Sequence, residues 1–109
     1  MGYVYGEYDE ATNTGKGAAV LRVSSNGKYR RVVCVWNGNL LMVKDLDSQE
    51  TLFNGLVSNH FSKIQDVIAA YTWIVVVGEV QGIAGCAYGY ARLNVDTWRI
   101  DPAGAVYGR

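Results

Sequence analysis

The chain has 109 residues, of which half are apolar or aromatic, 18% are charged and 13 are glycine. This length predicts one domain spanning residues 1–109 that folds without a metal or a disulfide, and the glycine content favours a β-rich fold with tight turns. Ten basic and ten acidic residues cancel, which excludes a global field that attracts nucleic acid or an anionic membrane.

The N-terminal residues, the apolar runs and the cysteines bear on the cellular compartment of the protein. The first ten residues, MGYVYGEYDE, carry acids where a secretory signal needs a basic start and an apolar core. The longest strongly apolar uncharged run, between Asp66 and Glu79, is too short to span a bilayer. Cys34 and Cys86 are too few for a disulfide framework and lack metal-ligand spacing. We therefore expect a cytoplasmic protein with no membrane segment and two buried thiols.

Alternating stretches in the first half of the chain predict a β-meander. A strand at about residues 3–8 precedes the polar loop DEATNTGKG, and further strands follow at about 18–25, 28–36 and 39–44. The pairs Asn26-Gly27 and Asn37-Gly38 separate the last three strands. Asn-Gly favours a type I′ turn because both central positions of that turn need positive φ.

The period of the pattern changes after residue 50. Apolar side chains recur at helical spacing at Val57, Phe61, Ile64, Val67, Ile68 and Tyr71. This spacing predicts an amphipathic helix with one buried stripe, and Ser62 with Gln65 fits a capping box near its start.

Two stretches after the helix predict an antiparallel pair of strands. The run TWIVVVGEV is typical of a strand buried on both faces, and AGCAYGYARLNV is its expected partner. One face of that partner carries Gly85, Ala87, Gly89 and Ala91, and the other carries Cys86, Tyr88, Tyr90 and Arg92. Small residues let another backbone come close. We expect the small face to pack against the helix and the tyrosine face to point outward or toward a second subunit.

The predicted fold class is α+β. A short edge strand near Trp98, ended by Pro102, completes the pattern. The order β-β-β-β-α-β-β predicts an antiparallel sheet of about six strands with one amphipathic helix packed on it. The alternative is a small, partly open β-barrel with the helix as a plug.

The hairpin loops predict a row of cations. Two-residue turns fix the register, which places Arg22 opposite Arg31 and Arg31 opposite Lys44. Like charges directly opposed on a sheet destabilise it by about a few tenths to 1 kcal/mol per pair. Three explanations stay open: Glu7 or Glu79 closes the row into an internal network, an external anion does so, or a slip in register dissolves it.

These patterns favour a small non-enzymatic binding protein. The predicted binding residues are Arg22, Tyr29, Arg31, Lys44, Tyr88, Tyr90 and Arg92. No catalytic residues, metal site or cofactor are predicted, because the single histidine, His60, has no partner by spacing. The leading hypothesis is a protein-interaction or inhibitor module that acts on an acidic partner surface. Small chains of this kind are common among viral or mobile-element accessory proteins.

Two other functions fit the same residues. Tyrosines beside an arginine form a stacking platform for bases, which favours a nucleotide or single-stranded nucleic acid as ligand. The second of these alternatives is a purely structural role, as a subunit of a homo-oligomeric assembly. Self-association is expected in any case, because a sheet this apolar on both faces has too little helix to cover it.

Overall fold

The chain folds into two antiparallel β-sheets. The structure is a computed structural model. It describes residues 3–5, 15–80 and 88–106, with side chains described over 15–80 and 88–101. The strands are β1 (Tyr3–Tyr5), β2 (Lys16–Ser25), β3 (Lys28–Asn37), β4 (Leu40–Asp45), β5 (Thr51–Leu56), β6 (Phe61–Ala70), β7 (Trp73–Val80), β8 (Tyr88–Asn94) and β9 (Arg99–Val106). Sheet A has the order β1-β2-β3-β4-β5 and sheet B the order β6-β7-β8-β9.

Both sheets are meanders in which each strand pairs with the next one along the chain. Backbone hydrogen bonds tie β6 to the turns and strand ends of sheet A. The amide of Ser24 donates to the carbonyl of Tyr71 at 3.1 Å, and the amide of Ile64 donates to the carbonyl of Gly38 at 2.7 Å. These bonds join β6 and the turn after it to β2 and to the β3–β4 turn.

The inner faces of the two sheets share one hydrophobic core. Its fully buried side chains come from both sheets and include Leu41, Val43, Ile64, Ile74, Val76 and Leu93. On each strand they alternate with outward-facing residues, as the two-residue period of a strand requires. Because both inner faces meet in this core, the outer faces of the sheets point away from each other.

The predicted α+β fold is wrong, because residues 61–70 form the strand β6 and not an amphipathic helix. Two β-bulges explain the misleading pattern. They interrupt the pairing with β7 between Phe61 and Lys63 and between Ile64 and Asp66. Each bulge adds a residue to one strand, so the buried side chains of Phe61, Ile64 and Val67 fall three residues apart. The described residues contain no helix, so the helix-plugged barrel is wrong as well.

Two further strand assignments differ from the sequence pattern. Asn54-Gly55 lies inside β5, a strand that was not predicted. Strand β9 continues through Pro102 to Val106 and does not end at the proline. In the described chain β9 pairs with β8 alone, so one side of β9 is open, and proline is tolerated in such an edge strand.

The small face of β8 lies in the core, as predicted, but no helix covers it. Gly89 and Ala91 are buried, and Gly89 pairs with Gly78 on β7. The ring of Phe61 lies directly over Gly78, where an added Cβ would stand 2.5 Å from ring carbons. The absence of side chains therefore makes room for an aromatic ring of the neighbouring strand. Gly85, Cys86 and Ala87 lie outside the described residues.

The first hairpin has the predicted register and the second does not. Asn26 and Gly27 both have positive φ, at 52° and 79°, and Arg22 pairs with Arg31. In the second hairpin, Asn37 stays in β3 and pairs with Leu40, so the turn consists of residues 38–39. This two-residue offset places Lys44 opposite Val33 and not opposite Arg31.

Candidate binding surfaces

The outer face of sheet A gathers four of the predicted binding residues. We call this surface face A; its outward positions on β2–β5 are Lys16, Ala18, Val20, Arg22, Ser24, Tyr29, Arg31, Val33, Val35, Asn37, Leu40, Met42, Lys44, Thr51, Asn54 and Leu56. Four of them are cations and none is a carboxylate. Arg22, Tyr29, Arg31 and Lys44 therefore share one face, although the straight row of three cations is replaced by a staggered one.

The cations of face A differ in what they contact. The guanidinium of Arg22 lies over the ring of Tyr29, 4.0 Å from its centroid. Arg31 pairs with Asp47 in the turn after β4, and both side chains are about 60% exposed. Such an exposed pair contributes about 0–1 kcal/mol. Within the described ranges, Arg22 and Lys44 have no carboxylate partner.

An apolar patch lies between these cations. It consists of Val20, Val33, Val35, Leu40, Met42 and Leu56, which are half-buried or exposed. Three cross-strand pairs build it: Val20 with Val33, Val35 with Met42, and Leu40 with Leu56. Contiguous exposed apolar surface bordered by polar groups is typical of a protein-binding site.

Asp45, a carboxylate that the sequence pattern did not single out, lies at the end of β4. Asp45 is buried and accepts hydrogen bonds from the amides of Asp47 and Ser48, each at 2.8 Å, and from Arg30 at 2.7 Å. The amide of Ser48 is the main cause that holds the pKa of Asp45 below its ordinary value; Arg30 and the amide of Asp47 act in the same direction, against the effect of burial. Asp45 thus shapes the turn that presents Asp47 to Arg31.

The D45N variant should lose stability mainly above pH 4. Because the pKa of Asp45 is lower in the folded chain than the value near 3.9 expected for an unfolded aspartate, the carboxylate stabilises the fold above that value. Its contribution is lost as the pH falls through the folded-state pKa. We expect the difference in Tm between wild type and D45N to narrow between pH 7 and pH 2. A constant difference over that range would contradict this role.

The outer face of sheet B gathers the other three predicted residues. We call it face B; its outward positions are Lys63, Asp66, Ile68, Ala70, Trp73, Val75, Val77, Glu79, Tyr88, Tyr90, Arg92, Asn94, Arg99 and Asp101. Tyr88 and Tyr90 are 43% and 36% exposed, so the tyrosines point outward as predicted.

Arg92 is held on two sides. Its guanidinium lies over the ring of Trp73, 4.1 Å from the centroid, and it is hydrogen-bonded to Asp101 on β9. Trp73 was not predicted as a site residue. It stands diagonally across from Arg92, since β7 pairs Val75 with Arg92 and Trp73 with Asn94. Only the β7–β8 register could have revealed the contact.

The seven predicted residues form two separate groups. Arg22, Tyr29, Arg31 and Lys44 lie on face A, and Tyr88, Tyr90 and Arg92 lie on face B, so one flat partner cannot touch both groups. An internal network of the cations with Glu79, one of the three explanations left open by the sequence, does not form. Glu79 lies on face B, where it accepts a hydrogen bond from Ser62, and Glu7 lies outside the described residues.

Reactive groups are few among the residues that the structure describes. Cys34 is a free thiol, and burial raises its pKa to about 12. No cluster of three or more His, Cys, Asp or Glu side chains is placed to hold a metal within the described ranges. A membrane-crossing helix is also absent from this part of the chain.

Comparison with protein-family models, with curated proteins and with solved structures finds no match for this chain.

Proposed function

We propose that this chain is a non-enzymatic protein-binding module and that face A receives a partner with an acidic surface. The observation that carries the proposal is the combination on face A of an exposed apolar patch with four cations and no carboxylate. The patch supplies burial on contact, at about 25 cal/mol per Å² of apolar surface. The cations select the sign of the partner's charge and speed its association.

Arg22 and Lys44 are the principal charged contacts in this proposal. Neither side chain has a carboxylate partner within the described residues, so both charges are available to carboxylates of an acidic partner. Arg31 already pairs with Asp47 and contributes less. Arg22 is also pre-positioned by its contact with the Tyr29 ring, which reduces the side-chain freedom lost on binding.

The arrangement of face A favours a protein over a nucleic acid. A single-stranded nucleic acid is bound by a basic groove with successive exposed aromatic rings. On strands β2–β5, face A offers one exposed ring, Tyr29, and Arg22 covers one side of it. Aliphatic side chains occupy the space between the cations. On face B, the carboxylates of Asp66, Glu79 and Asp101 oppose a phosphate backbone.

An inhibitor of an acidic target protein is one form of this module. A cytoplasmic location belongs to the same proposal, since a chain with only two cysteines and a buried free thiol at Cys34 suits a reducing compartment.

The test is a quantitative co-purification with charge-reversed variants. Tagged wild type, R22E/K44E and the control K28E are compared at low salt; Lys28 is an exposed cation that belongs to neither face A nor face B. We expect specific proteins with acidic surfaces to be at least tenfold depleted with R22E/K44E and retained with the control. Direct titration of the purified pair should show a Kd at least tenfold higher for R22E/K44E.

A fold control accompanies this test. Because Arg22 and Arg31 are directly opposed like charges, the R22E change should leave Tm nearly unchanged. Equal retention by R22E/K44E and K28E would overturn the proposal, as would co-purified nucleic acid lost with R22E/K44E.

A further inference from the structure

Face B carries a second surface that the proposed function does not use. Its apolar residues form a continuous band across three strands: Ile68, Trp73, Val75, Val77, Tyr88 and Tyr90. Ile68 pairs with Val75 and Val77 with Tyr90, so the band is built from direct cross-strand neighbours. Ile68, Tyr88 and Tyr90 are exposed.

Charge distinguishes the partner of face B from the partner of face A. Three cations, Lys63, Arg92 and Arg99, and three carboxylates, Asp66, Glu79 and Asp101, occupy the outward positions of face B. Face B is therefore neutral, whereas face A carries four cations. A copy of face A meeting face A would suffer like-charge repulsion, while a copy of face B meeting face B would not.

The charges of face B are also distributed in a self-complementary way. The β6–β7 half carries one net negative charge and the β8–β9 half one net positive charge. A two-fold axis that runs along the strands, in the plane of contact, places the β6–β7 half of each copy over the β8–β9 half of the other. Such an isologous contact is the commonest way in which soluble proteins form dimers.

We infer that two copies of this chain associate through face B. Arg92 is suited to the contact because its charge is already paired with Asp101 and its guanidinium lies over the ring of Trp73. Burying this group requires less loss of hydration than burying an unpaired cation. The dimer then leaves two copies of face A pointing outward on opposite sides. That consequence, a bivalent binder, rests on the proposed function of face A; the dimer itself does not.

The size of face B indicates a weak dimer. Four strands spaced about 4.8 Å apart, each about eight residues long at about 3.3 Å per residue, present a footprint of roughly 500 Å². A standard interface buries about 800 Å² per partner. The association should therefore depend on concentration in the micromolar range, which sets the conditions of the test.

The test is sedimentation velocity of the full chain from about 1 to 200 µM, with two matched variants. I68K introduces a charge on face B and V35K does so on face A; the two residues are 50% and 43% exposed. We expect wild type and V35K to dimerise as concentration rises and I68K to show a dimer Kd at least tenfold higher. Equal Tm values at low concentration confirm that both variants fold.

A charge-reversal variant tests the dimer through face B independently, in case I68K does not fold. Arg99 is exposed, and R99E removes the positive charge from the β8–β9 half, which should weaken the dimer severalfold. The double variant E79K/R99E should restore it by exchanging the signs. A wild type that stays monomeric to 200 µM would overturn the inference. So would a dimer that V35K weakens more than I68K, whereas loss of acidic-partner binding alone bears only on face A.

Discussion

Replacement of Trp36 by alanine is expected to lower the free energy of unfolding by about 3–5 kcal/mol, the range for deleting a buried aromatic side chain. Trp36 is 4% exposed and its indole lies over Gly17 on the paired strand. Alanine leaves a cavity there because glycine has no side chain to fill it. With about 4–8 °C per kcal/mol for a domain of this size, Tm should fall by at least about 12 °C.

The Gly17–Trp36 pair allows a sharper version of this test. An added Cβ at Gly17 would stand 2.5 Å from the indole, so G17A should cost about 1–3 kcal/mol in wild type. In the W36A background the clash is gone, and G17A should be neutral or stabilise by about 0.5–1 kcal/mol, since glycine disfavours a strand interior. Denaturant titration of the four proteins measures the coupling. Additive effects would show that the ring does not pack on Gly17.

Ile64 and Ile68 provide the second large prediction. I64A should lower the free energy of unfolding by about 2–5 kcal/mol, because Ile64 is fully buried between the sheets. I68A should lower it by less than about 1 kcal/mol, because Ile68 lies half exposed on face B. Both measurements are made at low protein concentration, so that dimerisation does not contribute.

This pair of isoleucines also tests the strand assignment of β6. Residues four apart share one face of a helix, so a helix would make both substitutions costly. In the bulged strand, Ile64 and Ile68 point to opposite sides of the sheet. Tyr71 supports the strand, since it lies in the β6–β7 turn with a φ of 63° and is 80% exposed. Equal losses for I64A and I68A would contradict the strand.

The parts of the fold that could be predicted depend on short-range chemistry. Asn26-Gly27 supplies the positive φ values of its own turn, so the β2–β3 register and the opposed pair Arg22 and Arg31 follow from local sequence. Alternation in residues 88–92 was enough to separate the outward tyrosines from the buried small residues. The predicted partner of Lys44 was wrong because the turn near Asn37-Gly38 can begin at more than one residue. Pairing with the neighbouring strands determines where it begins.

The candidate sites were predicted less well than the strands that carry them. The residue types on β2–β4 and β8 indicated outward binding residues, but the division of these residues into two groups on opposite sides of the molecule depends on which sheet each strand joins. The same holds for the contact of Arg92 with Trp73 and for the hydrogen bonds that Asp45 accepts. Each of these arises from strand pairing or from the conformation of a turn.

The sequence by itself determined the local features of this protein: the strand alternation of residues 18–44 and 88–94, the first hairpin turn, and the outward side of β8. Only the tertiary structure decided that residues 61–70 form a strand, that face A is cationic and that face B is neutral. The physical reason is that dihedral preferences and side-chain alternation act within a few residues. Bulges, by contrast, are set by pairing with β7, and the charge of a face is the sum over strands that are distant in sequence.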